Sequence, residues 1–154
     1  MKRIILSIAF VIALVAGAAG PAPASAQAAT WACPPTAVIT FPKTVALAGC
    51  SFFSTTKTTK IVCTAKDQAA DKLSVRVTLI HAGSGTTLAT CAVPRDSRNA
   101  TTTTSKSRSK PSKWAGSTDA WTVIVRVELL DARGQATRTV DTEYTVPAGY
   151  PVYL

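Results

Sequence analysis

The sequence predicts an all-β domain built as a two-sheet sandwich, and three observations predict it. Past residue 26, short β-branched or apolar runs alternate with turn residues. No window of helix length carries an apolar stripe at helical spacing. Four cysteines, Cys33, Cys50, Cys63 and Cys91, supply an even set of staples for a modest core. With 154 residues, 47% hydrophobic and 16% charged, the chain has the composition of one globular domain and not of a disordered segment.

Residues 1–26 read as a cleaved signal peptide. Met1-Lys2-Arg3 is a cationic start, residues 4–20 are apolar apart from Ser7, and Pro21 and Pro23 then interrupt the run. Ala24-Ser25-Ala26 offers the small residues that signal peptidase requires, which places the cut before Gln27 and leaves no transmembrane segment in residues 27–154. Leu47-Ala48-Gly49-Cys50 has the form of a lipobox, but it lies behind Pro34, Pro35, Pro42 and Lys43 and reads instead as a strand ending in a cysteine. The expected location is secreted or periplasmic.

The first strands are expected at 37–41 and 45–49. Residues 48–53 and 59–65 then form a hairpin whose turn, centred at Thr56-Lys57, puts Cys50 directly opposite Cys63. Four cysteines allow three connectivities; this register favours Cys50–Cys63, leaving Cys33–Cys91. A second hairpin runs from Leu73, Val75, Val77 and Leu79 through His81-Ala82-Gly83-Ser84-Gly85 into residues 86–93. The C-terminal hairpin is the clearest unit. Trp121, Val123, Val125, Val127 and Leu129 share one face, with Thr122, Arg126 and Glu128 on the other. Asp131-Ala132-Arg133-Gly134 suits a type I turn, and the return strand carries Val140, Tyr144 and Val146 inward. Pairing Asp131 with Gly134 predicts Leu129 opposite Ala136, Val125 opposite Val140 and Trp121 packed on Tyr144. On that face Arg138 is the exception, close enough to the hairpin end to carry its charge to water. About seven or eight strands result, which suits an immunoglobulin-like β-sandwich with two disulfides. The Trp between bridged cysteines that marks antibody domains is absent.

Charge is concentrated in one place. Export removes Lys2 and Arg3 and lowers the formal charge from +9 to +7, while Arg95, Arg98, Lys106, Arg108, Lys110 and Lys113 share one stretch with a single acid, Asp96. Residues 95–119, with Thr101-Thr102-Thr103-Thr104 followed by a Ser/Lys/Arg run, are polar, low in complexity and self-repelling, and read as a flexible basic loop. Asn99-Ala100-Thr101 is a formal glycosylation sequon to which no role is assigned.

Catalytic readings are weak. His81 beside Gly83-Ser84-Gly85 brings a base near a hydroxyl, but no helix follows, so the serine reads as a hairpin tip and not a nucleophile elbow. Asp67 and Asp71 read as part of a solvated connection. No close Cys-x-x-Cys pair exists and no histidine neighbours a cysteine, so neither a metal, a redox centre nor any cofactor is expected. Trp31, Trp114 and the tail 149–154, with Tyr150 and Tyr153, either stack on sugars or cap the sandwich, and capping is the expectation.

These observations describe a non-catalytic, exported binding or interaction module. The six cations point to an anionic cell-envelope polymer or another exported protein as partner. Nucleic acid is disfavoured because the loop has no interleaved aromatics for base stacking. The alternative is a secreted protease inhibitor presenting its Lys/Arg-rich loop. Intact mass of the exported protein is expected to correspond to a chain starting at Gln27, and alkylation without reductant should add nothing; a labelled cysteine would disprove the two-disulfide reading.

Overall fold

The computed structural model describes residues 29–40, 43–55, 58–69, 72–95, 97–107, 114–115 and 119–154. The signal-peptide reading, residues 1–26, lies outside them. Among the described residues the chain forms eleven strands and no helix: β1 (Ala29–Ala32), β2 (Thr36–Thr40), β3 (Lys43–Ser54), β4 (Thr58–Asp67), β5 (Ser74–His81), β6 (Thr86–Val93), β7 (Asn99–Ser107), β8 (Trp114–Ala115), β9 (Trp121–Leu130), β10 (Ala136–Val146) and β11 (Val152–Tyr153). In the first sheet β3 and β4 are central, β7 is one edge, and β1 and β2 share the other flank of β3. The second sheet has the order β10-β9-β5-β6, and β8 pairs with β11 in a short ribbon. Every pairing is antiparallel.

Alternation explains why these segments become strands. Val75, Val77 and Leu79 on β5 and Val123, Val125 and Val127 on β9 are buried, while the intervening residues are only partly so. From the first sheet Phe52, Ile61 and Cys63 point into the same core, and one cluster joins both sheets. The expected strands at 45–49 and 48–53 are one continuous strand, β3, and its hairpin with β4 has the expected register, Cys50 opposite Cys63.

The disulfides nevertheless differ from the expected pairs. Cys33 bridges Cys50 and Cys63 bridges Cys91, with Cα–Cα separations of 5.3 and 5.9 Å. The Cys33 amide donates to the Cys50 carbonyl at 3.0 Å, so Cys50 turns its backbone polar groups away from β4 and faces Cys63 as a non-hydrogen-bonded pair. That geometry permits a lateral bridge, but an inward cysteine also has neighbours in the opposite sheet. Cys91 on β6 lies across the core from Cys63, and Cys33 lies on the far flank of β3 from β4. A Cys50–Cys63 bridge would leave Cys33 about 10 Å from β4, two strand spacings away and beyond the reach of a disulfide toward Cys91.

The C-terminal hairpin also departs from expectation, in a way that conserves its faces. The type I turn forms, with the Gly134 amide donating to the Asp131 carbonyl at 3.0 Å and Gly134 at φ +75°. Gly134 is nevertheless an extra residue, because Asp131 then pairs with Gln135 and Leu130 with Ala136. Thr137 is a second insertion, held by its Oγ1 donating to the Leu129 carbonyl at 3.0 Å. Two single-residue shifts restore the inward face, so Val140 opposes Val127, Tyr144 opposes Val123, and Trp121 opposes Val146 and not Tyr144. Trp121 packs instead edge-on against Phe52, with ring centroids 5.0 Å apart, and lies 5.4 Å from His81. Tyr144 shares a 2.7 Å hydrogen bond between its hydroxyl and that of Thr36.

The tail closes this end of the sandwich, in line with the capping expectation for Trp31 and the tail, while the Trp114 side chain lies outside the described residues. Trp121 Nε1 donates to the Tyr150 carbonyl at 2.9 Å, and the hydroxyls of Ser54 and Thr59 donate to the Pro151 carbonyl at 2.6 and 3.1 Å. Val152 is fully buried, and Trp31 stacks on Phe52 at 5.9 Å. Trp121→Ala is therefore expected to cost about 3 to 5 kcal/mol in urea denaturation. Arg126→Ala, which removes only a surface ion pair with Asp141, should cost under about 1 kcal/mol. Equal losses would refute the assignment of the two faces.

Candidate polyanion-binding face

The basic segment is not a loop throughout, contrary to the reading of residues 95–119. Residues 99–107 form β7, which pairs with β4 at nine consecutive positions from Lys66–Asn99 to Thr58–Ser107, and 114–115 form β8. The threonine run supplies β-branched side chains to both faces, which suits an edge strand and hides the alternation. Asn99, Thr101, Thr103, Ser105 and Ser107 are exposed on the outer face, whereas Ala100, Thr102, Thr104 and Lys106 are half-buried on the inner one.

The six predicted cations do not converge. Arg95 is exposed in the turn after β6, where the Ser97 amide donates to the Pro94 carbonyl at 3.0 Å. Arg98 is exposed at the entrance to β7 and its carbonyl accepts from the Asp67 amide at 3.0 Å. Lys106 stands eight residues further on, roughly 26 Å along an extended strand, on the inward side opposite Thr59. Arg108, Lys110 and Lys113 lie outside the described residues.

Two cations that sequence reasoning passed over lie between these ends. Lys60 and Lys66 project from the outer face of β4, opposite Ser105 and Asn99. The usable signal was parity: Cys63 faces the core, so 60, 62, 64 and 66 face out. Their neighbours on this face are Leu47, Gly49, Ser51 and Phe53 of β3 and the hydroxyl row of β7. No carboxylate lies on this outer face among the described residues. The second sheet's outer face is different. Arg76 donates to Glu128 through two hydrogen bonds of 2.7 and 3.0 Å, and Arg126 to Asp141 through two of 2.8 and 2.7 Å. Hydrogen bonds from these guanidinium groups hold both carboxyls below their usual range. Positive charge there is internally matched, while that of the first sheet is not.

A groove of about 270 Å³ opens on the first sheet beside the Cys33–Cys50 bridge, lined by Pro35, Leu47, Gly49, Ser51, Thr64 and Lys66. Gly49 makes it: a Cβ there would lie 3.8 Å from Thr64 Cβ, in ordinary contact, so the glycine leaves space rather than relieving a clash. Phe53, four residues along β3, is the one exposed large hydrophobic side chain among the described residues.

The residues behind the catalytic readings have structural partners. His81 Nδ1 accepts the Ser84 amide at 3.1 Å and lies 2.9 Å from Ser84 Oγ, which donates to Thr86 Oγ1 at 2.8 Å. With the Gly85 amide on the His81 carbonyl at 2.8 Å, these contacts tie the tip of the β5–β6 hairpin. Asp67 is buried and its Oδ1 accepts the Ala69 amide at 3.0 Å; Asp71 lies outside the described residues. Among the described residues no group of three or more His, Cys, Asp or Glu side chains is placed to hold a metal ion. No described helix is long and apolar enough to cross a membrane, and the two disulfides fit an oxidising compartment.

No protein-family model matches the chain, and neither curated proteins nor solved structures yield a match.

Burial pushes the His81 pKa below its ordinary 6.5. The unfolded chain therefore binds the proton more readily than the folded one, and stability is lost as pH falls below about 6.5 toward the folded value. His81 is the sole histidine, so melting temperature should decline between neutral pH and the onset of carboxylate titration, and His81→Gln should abolish that slope. An unchanged slope in the variant would exclude His81 as its source.

Proposed function

We propose that this protein is a secreted or periplasmic, non-catalytic binding module that contacts an anionic cell-envelope polymer through its basic segment and the adjoining outer face of the first sheet. The observation that carries this reading is the contrast between the two outer faces. On the second sheet Arg76 and Arg126 are matched by carboxylates, whereas Lys60 and Lys66 stand on a face that carries no acid among the described residues. Unmatched cations raise the local concentration of a polyanion and accelerate its capture.

An immunoglobulin-like scaffold suits this role. Taking β3, β4 and β7 as strands A, B and E, and β5, β6, β9 and β10 as C, C′, F and G, gives three strands facing four, with β1 and β2 added beside the first. The inhibitor alternative has less support, because nine residues of the basic segment lie in a paired strand and are not presented as an extended loop.

Replacing Lys106, Arg108, Lys110 and Lys113 by glutamine should weaken retention on heparin strongly at low salt and little at high salt, with melting temperature nearly unchanged, because attraction between charges in water is screened beyond about 8 Å at physiological ionic strength. Undiminished retention would remove the basic segment from the binding role.

A further inference from the structure

The groove on the outer face of the first sheet is more specific than a charged surface. Its floor is apolar, formed by Leu47, Pro35 and the bare backbone at Gly49 above the Cys33–Cys50 bridge, and its polar groups are confined to Ser51, Thr64 and Lys66. At about 270 Å³ it lies just below the range of drug-sized pockets and suits a single ring. An apolar floor accepts the C–H face of a pyranose, the two hydroxyls can pair with ring hydroxyls, and the ammonium on the rim complements one carboxylate.

The surroundings extend that pattern in one direction. Phe53 lies four residues from Gly49 along β3, about 13 Å, and stands opposite Lys60 on β4. Lys60 and Lys66 are six residues apart, about 20 Å. The face therefore repeats an apolar surface beside a lysine at two places on one line, with Ser105, Thr103 and Thr101 forming a hydroxyl margin. Such sparse charge matches a polymer with an acid on only some of its units. A membrane surface would call for more than one exposed apolar side chain, and a nucleic acid for several stacking rings and denser cations.

We propose that the Gly49 groove binds one ring of an acidic polysaccharide carrying a carboxylate on alternate sugars, with Lys66 on that carboxylate and the chain running along β3 and β4 toward Phe53 and Lys60. The proposal rests on the polyanion reading and supplies its ligand class.

The test uses the exported protein and two probes, a hyaluronan octasaccharide with one carboxylate on every second sugar and heparin as a dense polyanion. Gly49→Val fills the groove with a strand-compatible side chain, and Lys66→Ser removes the rim charge at an exposed position. Each should weaken octasaccharide binding about tenfold, the worth of one charge-assisted contact or a lost ring site, with melting temperature near wild type, and Gly49→Val, which removes no charge, should leave heparin retention unchanged. Amide shifts on titrating the wild-type protein should centre on Gly49, Ser51 and Thr64, which gives a readout independent of either variant's folding. Equal octasaccharide binding by wild type and both variants would overturn the groove proposal and leave the polyanion reading standing. So would binding of heparin or of anionic phosphatidylglycerol vesicles without the octasaccharide. Failure to bind any of these probes would overturn both.

Discussion

The Cys63–Cys91 bridge is the constraint on which the rest of the molecule depends. It joins the central β4 of one sheet to the edge strand β6 of the other and fixes which side of β4 faces inward. Once Cys63 points to the core, residues 59, 61, 65 and 67 must do so too, and 60, 62, 64 and 66 must face solvent. The two lysines of the candidate face owe their direction to a cysteine that they never touch. Closing a 28-residue separation also removes conformational freedom from the unfolded chain, a contribution of about 3 to 4 kcal/mol in the chain-entropy account.

The end of the sandwich nearest the tail depends on a different economy. Ser54 and Thr59 are buried polar residues on neighbouring strands, and a single carbonyl, that of Pro151, accepts from both hydroxyls. The adjacent Tyr150 carbonyl accepts the indole N–H of Trp121 from the other sheet. Two consecutive carbonyls thereby satisfy donors from three strands, and among the described residues no buried side-chain polar atom lacks a partner. Proline suits this position because it offers a carbonyl without an N–H that would itself need an acceptor there.

What was legible in the sequence was whatever alternation could write. Val75, Val77 and Leu79, and the run from Trp121 to Leu129, announced their strands because apolar and polar residues take turns. β7 was illegible because threonine occupies both of its faces, so a strand with an inner and an outer side has no contrast in hydropathy. The Cys50–Cys63 register was legible, yet the bridges were not, since a one-dimensional argument ranks neighbours within a sheet and is blind to the sheet opposite. Of the candidate site, the sequence disclosed where positive charge is dense but not that Lys60 and Lys66 share a face carrying no acid among the described residues; that requires knowing which strands share a sheet. The groove had no signal beyond an isolated glycine in a strand, which marks many things besides a cavity.

The two single-residue insertions in the β9–β10 hairpin, at Gly134 and Thr137, carry a consequence for how this chain can change length. Each alone would turn Val140, Tyr144 and Val146 outward, and only together do they leave the buried face intact. The hairpin therefore obeys an even-number rule. Across the lineage of such a protein, gain or loss of two residues near the turn can pass with the core undisturbed, whereas a change of one must be matched by another within the same few positions. Codon insertions and deletions here are coupled events, and the pair of bulges is the trace such coupling would leave.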